Sequence, residues 1–140
     1  MQIDEVQNKI EAHNFALSDH YGTESFLYVP DFPGGMSILA KHNENGVSIE
    51  VKDAGDVLSP ILKKIKGKIL VKIDCEGSEY EILNSLKKAE LFPYIYSFVI
   101  ETHLGREDEI KRMLKSEGYY FYANKEVNGL GKLFAIRCKS

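Results

Sequence analysis

The sequence lacks the features of a secreted, disulfide-stabilised or membrane-spanning protein. It has two cysteines, Cys75 and Cys138, which form no CxxC pair. Because both lie in stretches that resemble buried strands, we expect them to be free thiols. No stretch approaches the run of roughly 18 apolar residues that crosses a membrane, and residues 1–14 lack the basic and apolar blocks of a signal peptide. These absences predict a cytoplasmic protein.

The sequence also lacks blocks of like charge. Its 18 Lys and Arg and 21 Asp and Glu residues are well mixed and give a net charge of −3. A chain without a basic stripe has little to attract nucleic acids or anionic membranes, so we expect neither as a partner. With 140 residues, 44% of them apolar, the chain has the size and composition of a single globular domain, which we assign to residues 1–140.

The first third of the chain reads mostly as strands. Apolar residues at helical spacing predict one short amphipathic helix over residues 3–12. Alternating patterns then predict strands over 14–19, 24–29 and 47–52, with no helix between the last two. These stretches favour an antiparallel arrangement of strands in this part of the chain.

Strands and helices alternate in the rest of the chain, which is typical of an α/β sheet with a parallel core. An apolar stripe from Val57 to Ile65 predicts a helix with Pro60 in about its first turn and Gly67 at its end. KILVKID (68–74) is almost continuously apolar and predicts a parallel strand that is covered on both faces. Further helices are expected over 78–91 and 107–117, and further strands over 95–102, 119–123 and 132–138. A short turn joins the last two strands, so they should form an antiparallel hairpin at one edge.

Polar side chains follow two of the predicted parallel strands. Asp74 and Glu76 end the first, and Glu101 and His103 end the second. Ligands of open α/β sheets bind beyond the carboxyl ends of the strands, so these four residues are candidate catalytic groups if the strands are neighbours. The alternatives are a helix cap or amide acceptor for Asp74, a solvated loop acid for Glu76 and a surface histidine for His103. Two carboxylates and one histidine are also a weak signal for a divalent metal, or for metal-dependent phosphate chemistry.

Two further charged residues, Lys72 and Glu79, lie on either side of Asp74 and Glu76 in the sequence. Lys72 falls inside the apolar strand, where it must pair with an acid such as Asp74 or Glu101, or else contact substrate. Glu79 falls in the first turn of the next helix, where it either stabilises the helix dipole or binds substrate.

The stretch LVKIDCEGSEYEIL (70–83) closely resembles the signature of FkbM-type methyltransferases, in which a strand of the form K-I-D-x-E-G leads into a helix that begins with a small residue and an acid. The resemblance covers residues 14–122. Four flanking stretches match in the same order: ALSD (16–19), IEVKDAGDVL (49–58), FVIETH (98–103) and LKSEGYYF (114–121).

The resemblance implies a Rossmann-like fold and S-adenosylmethionine as methyl donor, with a hydroxyl of a sugar or small metabolite as acceptor. It places Ser18 and Asp19 near the adenine of the cofactor and Asp74 at the cofactor rim. Asp74 or His103 would take the proton of the acceptor. Glu76 and Glu101 would hold substrate or a metal.

The family's first two strands, with their glycine-rich loop and ribose-binding acid, have no counterpart in the sequence. The chain therefore resembles a methyltransferase sheet truncated at its N-terminal side. The alternative function is that of a catalytically incomplete remnant that serves as a binding or assembly module. Loss of the first strand would also expose strand 68–74 as a hydrophobic edge, so we expect either residues 14–29 or a second copy in a homodimer to cover it.

Overall fold

The computed structural model describes residues 9–27, 46–124 and 130–137. These residues form an α/β structure with two mixed sheets, three α-helices and a short 3₁₀-helix, Phe92–Tyr94. Most of the helix predicted over 3–12 lies outside the described residues, and its described part, 9–12, is not helical. Cys138 also lies outside them, as does the end of the strand predicted over 24–29.

The first sheet contains three strands, β1 (Ala16–Ser18), β2 (Gly22–Leu27) and β3 (Gly46–Asp53). β3 lies in the middle, parallel to β1 and antiparallel to β2. The three predicted strands are thus confirmed within the described residues. The antiparallel arrangement is confirmed for β2 and β3 only, because β1 is parallel to β3.

Helix α1 (Ala54–Leu62) follows β3 directly. It begins there because the Asp53 side chain accepts a hydrogen bond from the backbone N–H of Asp56, 3.0 Å away, and caps the helix. The start is earlier than the apolar stripe suggested. The prediction of Pro60 in about the first turn was therefore wrong, because Pro60 lies in the second turn. The helix also ends before Gly67, which lies in the connection to the next strand.

The second sheet contains β4 (Leu70–Ile73), β5 (Ser97–Thr102), β6 (Tyr119–Ala123) and β7 (Gly131–Arg137). Their order is β4-β5-β7-β6, with β4 parallel to β5 and the other pairs antiparallel. The predicted C-terminal hairpin is confirmed, although β7 lies inside the sheet and only β6 is at its edge.

Helices α2 (Glu79–Lys88) and α3 (Glu107–Ser116) pack against one face of the second sheet. Both begin with acids and end with lysines, as the helix dipole favours. Every second residue of β5 is buried on this face. The core formed there includes Phe98 and Ile100 of β5, Ile82, Leu83 and Leu86 of α2, and Ile110, Met113 and Leu114 of α3.

The other face of the second sheet, which we call the open face, is exposed among the described residues. Strand register aligns Lys72, Val99, Phe134 and Tyr122 across it. Leu70 is 62% exposed there, and Tyr120 and Tyr122 are exposed as well. The prediction that β4 is covered on both faces was therefore wrong.

β4 is an end strand of the described sheet. Within residues 14–27, the described part of 14–29, β1 and β2 pair with β3 and not with β4. For these residues that part of the prediction was wrong. Pairing of two chains at this edge stays a prediction.

Candidate functional site

Two loops meet beyond the carboxyl ends of β4 and β5. Parallel pairing sets Ile73 beside Ile100, so the residues that follow both strands emerge at the same edge of the sheet. Asp74 and Glu76 come from the first loop and His103 from the second. One side-chain donor atom from each lies within 4.8 Å of the other two. We call these three residues the rim cluster.

Unusual backbone angles shape both loops. Glu76 has φ 54°, Gly77 has φ 123° and Leu104 has φ 60°. A φ of 123° is open essentially only to glycine. A Cβ atom on Gly77 would also lie 2.7 Å from Leu104 Cδ1, so the Leu104 side chain would have to shift. The glycine of the motif is thus a conformational requirement of the turn that presents Glu76.

His103 is held by a buried carboxylate. Its side chain is 7% exposed, and its Nδ1 lies 2.8 Å from Oε1 of Glu79. Glu79 Oε1 also accepts a hydrogen bond from the backbone N–H of Gly77 at 3.1 Å. This contact orients the ring, so the other nitrogen, Nε2, faces Glu76, whose Oε2 lies 3.4 Å away.

The structure corrects the role predicted for Glu79. The residue is only 2% exposed, and its Oε1 is taken up by His103 and Gly77, so it is not placed to bind a substrate. It positions His103 instead. The sequence suggested a helix-dipole role because Glu79 lies in the first turn of α2, and it gave no sign that the side chain turns inward to a histidine 24 residues away.

Lys72 and Asp74 form the ion pair that the sequence suggested. Lys72 Nζ lies 2.7 Å from Asp74 Oδ2. The hydrogen bond and charge of Lys72 lower the pKa of Asp74, and the same contact raises the pKa of Lys72.

Glu101 stands apart from the rim cluster. Its Oε2 lies 3.7 Å from Nζ of Lys132, which is its cross-strand neighbour on β7. Sequence analysis missed Lys132, because only the pairing of β5 with β7 brings it to this edge. Two ion pairs, Lys72–Asp74 and Lys132–Glu101, therefore lie at this edge of the sheet.

Cys75 lies between the two acids of the first loop and is a free, half-buried thiol. Burial and the nearby Glu79 carboxylate raise its pKa. A thiol under these conditions stays protonated, so it is a poor nucleophile and a poor metal ligand.

Ser18 and Asp19 are not brought to the rim cluster. Ser18 is buried beside Asp53 in the first sheet, and Asp19 Oδ2 lies 3.7 Å from Nζ of Lys88, at the C-terminal end of α2. The rim cluster lies at the other end of that helix. Ten helical residues span about 15 Å, which is the scale of the separation.

Asp19 belongs to a second group of acids, which we call the Asp19 cluster. It consists of Asp19, Asp53 and Asp56 and borders a cleft of about 320 Å³. Ser85 Oγ donates to Asp53 at 2.8 Å, and Tyr21 donates its hydroxyl to Asp56 at 3.0 Å. Sequence analysis assigned no role to Asp53, although an acid just before a helical stripe is a recognisable capping signal.

A larger cleft of about 380 Å³ lies at the opposite ends of β4 and β5, beside Lys68, Tyr96 and Arg137. No acid or histidine lines it. The rim cluster therefore remains the better candidate for chemistry, because it brings acids and a histidine together.

Comparison with protein-family models, with curated proteins and with solved structures found no match to this chain. None of the described helices is long and apolar enough to cross a membrane.

Proposed function

We propose that the chain is a methyltransferase-type protein that uses S-adenosylmethionine and acts on a hydroxyl of a sugar or small metabolite, within a Rossmann-like fold. The proposal rests on the FkbM-like stretch LVKIDCEGSEYEIL and on where its polar residues lie. Asp74 and Glu76 follow β4 and His103 follows β5, at the edge where α/β sheets bind ligands.

The observation that carries the proposal is the fixed orientation of His103. Glu79 holds Nδ1, so Nε2 is directed toward Glu76 at the edge of the sheet. A histidine oriented by a buried carboxylate is a recurrent form of general base.

S-adenosylmethionine, when bound, supplies a methyl group on a positively charged sulfur. The acceptor hydroxyl loses its proton as its oxygen forms the new bond to carbon, and a nearby residue must take that proton. His103 Nε2 is the better base, since the Lys72 ion pair lowers the pKa of Asp74 and makes it a weaker one. Glu76 and Glu101 are available to accept hydrogen bonds from other hydroxyls of a sugar.

The described residues offer more groups that could bind the methyl acceptor than groups that could bind S-adenosylmethionine. Ser18 is buried and Asp19 contacts Lys88 at the far end of α2. A glycine-rich loop like that of the family is not found in the 140 residues. Donor binding by this chain is therefore the weakest point of the proposal and the one to test.

Calorimetric titration of the chain with S-adenosylmethionine and with its demethylated product tests the proposal. We expect saturable binding of the product, and transfer of labelled methyl from the donor to a member of a sugar panel. Transfer should be lost in His103→Gln and kept in Asp108→Asn, a matched change at an exposed acid of α3. Absence of both heat and thermal shift at millimolar ligand would refute a self-sufficient enzyme.

The open face supports a second candidate, a binding or assembly module. Leu70, Phe134, Tyr120 and Tyr122 expose apolar surface side by side across the second sheet. If the chain binds no cofactor but self-associates through this face, the module is the better reading. Light scattering on the same sample separates the two.

A further inference from the structure

We propose that Asp74, Glu76 and His103 bind one divalent first-row transition-metal ion, such as Mn²⁺ or Zn²⁺. The site goes beyond methyl transfer and does not depend on it. It stands on the placement of three donor atoms and on the burial of the histidine that supplies one of them.

The spacing of the donor atoms suits a metal. Two ligands that each lie about 2.1 Å from a tetrahedral ion are about 3.4 Å apart. His103 Nε2 lies 3.4 Å from Glu76 Oε2, a distance longer than a normal hydrogen bond. With Asp74 included, the three donor atoms stay within 4.8 Å of one another, so side-chain rotation alone can bring them to bonding distance.

The buried histidine is the observation that sets this cluster apart from an ordinary group of surface acids. His103 is 6% exposed and its Nδ1–H donates to Glu79, which is more deeply buried still. Metal-binding histidines commonly donate their second nitrogen to a carboxylate in this way. Nε2 then faces Glu76 across a separation of 3.4 Å, which a metal ion bound to both atoms can bridge.

His20 is a natural contrast within the same chain. It also lies near two acids, Asp19 at 3.4 Å and Glu24 at 3.2 Å. Its side chain is half exposed, however, and both of its ring nitrogens face these partly exposed acids. His20 therefore has no buried carboxylate behind it to orient a free nitrogen, and we expect it to bind metal weakly.

Three protein ligands leave coordination positions for water or substrate. A hydroxyl bound to the metal would lose its proton more readily than a free one. The same three side chains would then activate an acceptor through the metal, in place of direct proton transfer to Nε2.

Binding of Mn²⁺ to the chelator-treated chain, measured by calorimetry, tests the site. Mn²⁺ is chosen because it prefers oxygen and imidazole ligands, so the thiols of Cys75 and Cys138 interfere little. We expect one ion per chain and about 100-fold weaker binding in His103→Gln. Glu76→Gln should weaken binding at least about 10-fold, and the matched control His20→Gln should not change it.

Either of two results would overturn the site: no binding of Mn²⁺ or Zn²⁺ at millimolar concentration, or equal affinity in wild type and Glu76→Gln. Glu76 is 40% exposed on its side chain, so its variant should fold even if His103→Gln does not. A sulfur-to-metal absorption band with Co²⁺ would assign the ion to a cysteine and also overturn the proposal. Because no S-adenosylmethionine is present, failure here leaves the methyltransferase proposal standing, and the reverse also holds.

Discussion

The two acid clusters at the ends of α2 look alike in sequence but differ in how their oxygens are used. In the Asp19 cluster the protein itself supplies the donors: Asp53 accepts from Ser85 and from the α1 backbone, Asp56 accepts from Tyr21, and Asp19 faces Lys88. In the rim cluster Asp74 pairs with Lys72, but Glu76 faces Nε2 of a buried histidine.

The comparison indicates that a group of acids is a candidate binding site when the neighbouring side chains do not already donate hydrogen bonds to its oxygens. At the Asp19 end, the neighbouring groups donate hydrogen bonds to the carboxylates, and through Asp53 these bonds connect α1 with α2. At the rim, Glu79 holds His103 so that its Nε2 faces Glu76, and Asp74 lies close by.

Removal of the buried Glu79 side chain should have the largest effect. Glu79→Ala leaves Nδ1–H of His103 and the N–H of Gly77 without their acceptor, so we expect a loss of about 3–5 kcal/mol in the free energy of unfolding. Glu79→Gln, which keeps an acceptor oxygen, should lose much less. Urea denaturation measures both.

Glu24→Ala is the matched control, because Glu24 contacts His20 as Glu79 contacts His103 but is partly exposed. We expect a change within about 0.5 kcal/mol for this surface position. Equal losses of unfolding free energy in Glu79→Ala and Glu24→Ala would mean that His103 and His20 are held equally strongly. That result would contradict the contrast between the two clusters.

Each end of α2 also depends on one glycine, for different reasons. Gly77→Ala should cost about 1–3 kcal/mol because its φ of 123° is strained for alanine. Gly55→Ala should cost about 1–3 kcal/mol by overpacking, since its Cβ would lie 2.7 Å from Ala89 Cβ. Gly67→Ala, with nothing within 4 Å, should cost nothing. Thermal and urea unfolding report all three.

Second substitutions separate the two causes. Ala89→Gly should restore part of the stability lost in Gly55→Ala, because it removes the nearest contact. Leu104→Ala should leave most of the loss in Gly77→Ala, because the backbone strain remains. Full rescue of Gly77→Ala would show that packing, and not conformation, requires glycine in the rim loop.

The Lys72–Asp74 pair should have the smallest effect on stability, because exposed ion pairs contribute little. Since Lys72 lowers the pKa of Asp74 in the folded state, the contribution is present above the unfolded pKa of about 3.9 and disappears as pH falls through the folded pKa. In chelator, Asp74→Asn should be slightly less stable than wild type at neutral pH and equal to it at strongly acidic pH. A difference that grows on acidification would contradict this sign.

The sequence predicted most of the described helices and strands, and it predicted that Asp74, Glu76 and His103 lie at one edge of the sheet, because both depend on short-range patterns. The parallel β4–β5 pair and the β6–β7 hairpin follow from alternation and connection length. The exposure of Leu70 could not be predicted, since an apolar run does not reveal whether a second layer covers it. The inward turn of Glu79 and the pairing of Glu101 with Lys132 depend on contacts between distant segments, which no local pattern records.

The most direct test of the central claim is the protonation and coordination of the His103 ring, read from its two ¹⁵N chemical shifts by NMR. In chelator, we predict that Nδ1 carries a proton, which it donates to Glu79. Addition of Zn²⁺ should shift the Nε2 resonance of His103 and leave that of His20 in place. An Nε2 resonance of His103 that does not respond to Zn²⁺ would mean that His103 only pairs with its acids, and would contradict the account of the rim cluster as a binding site.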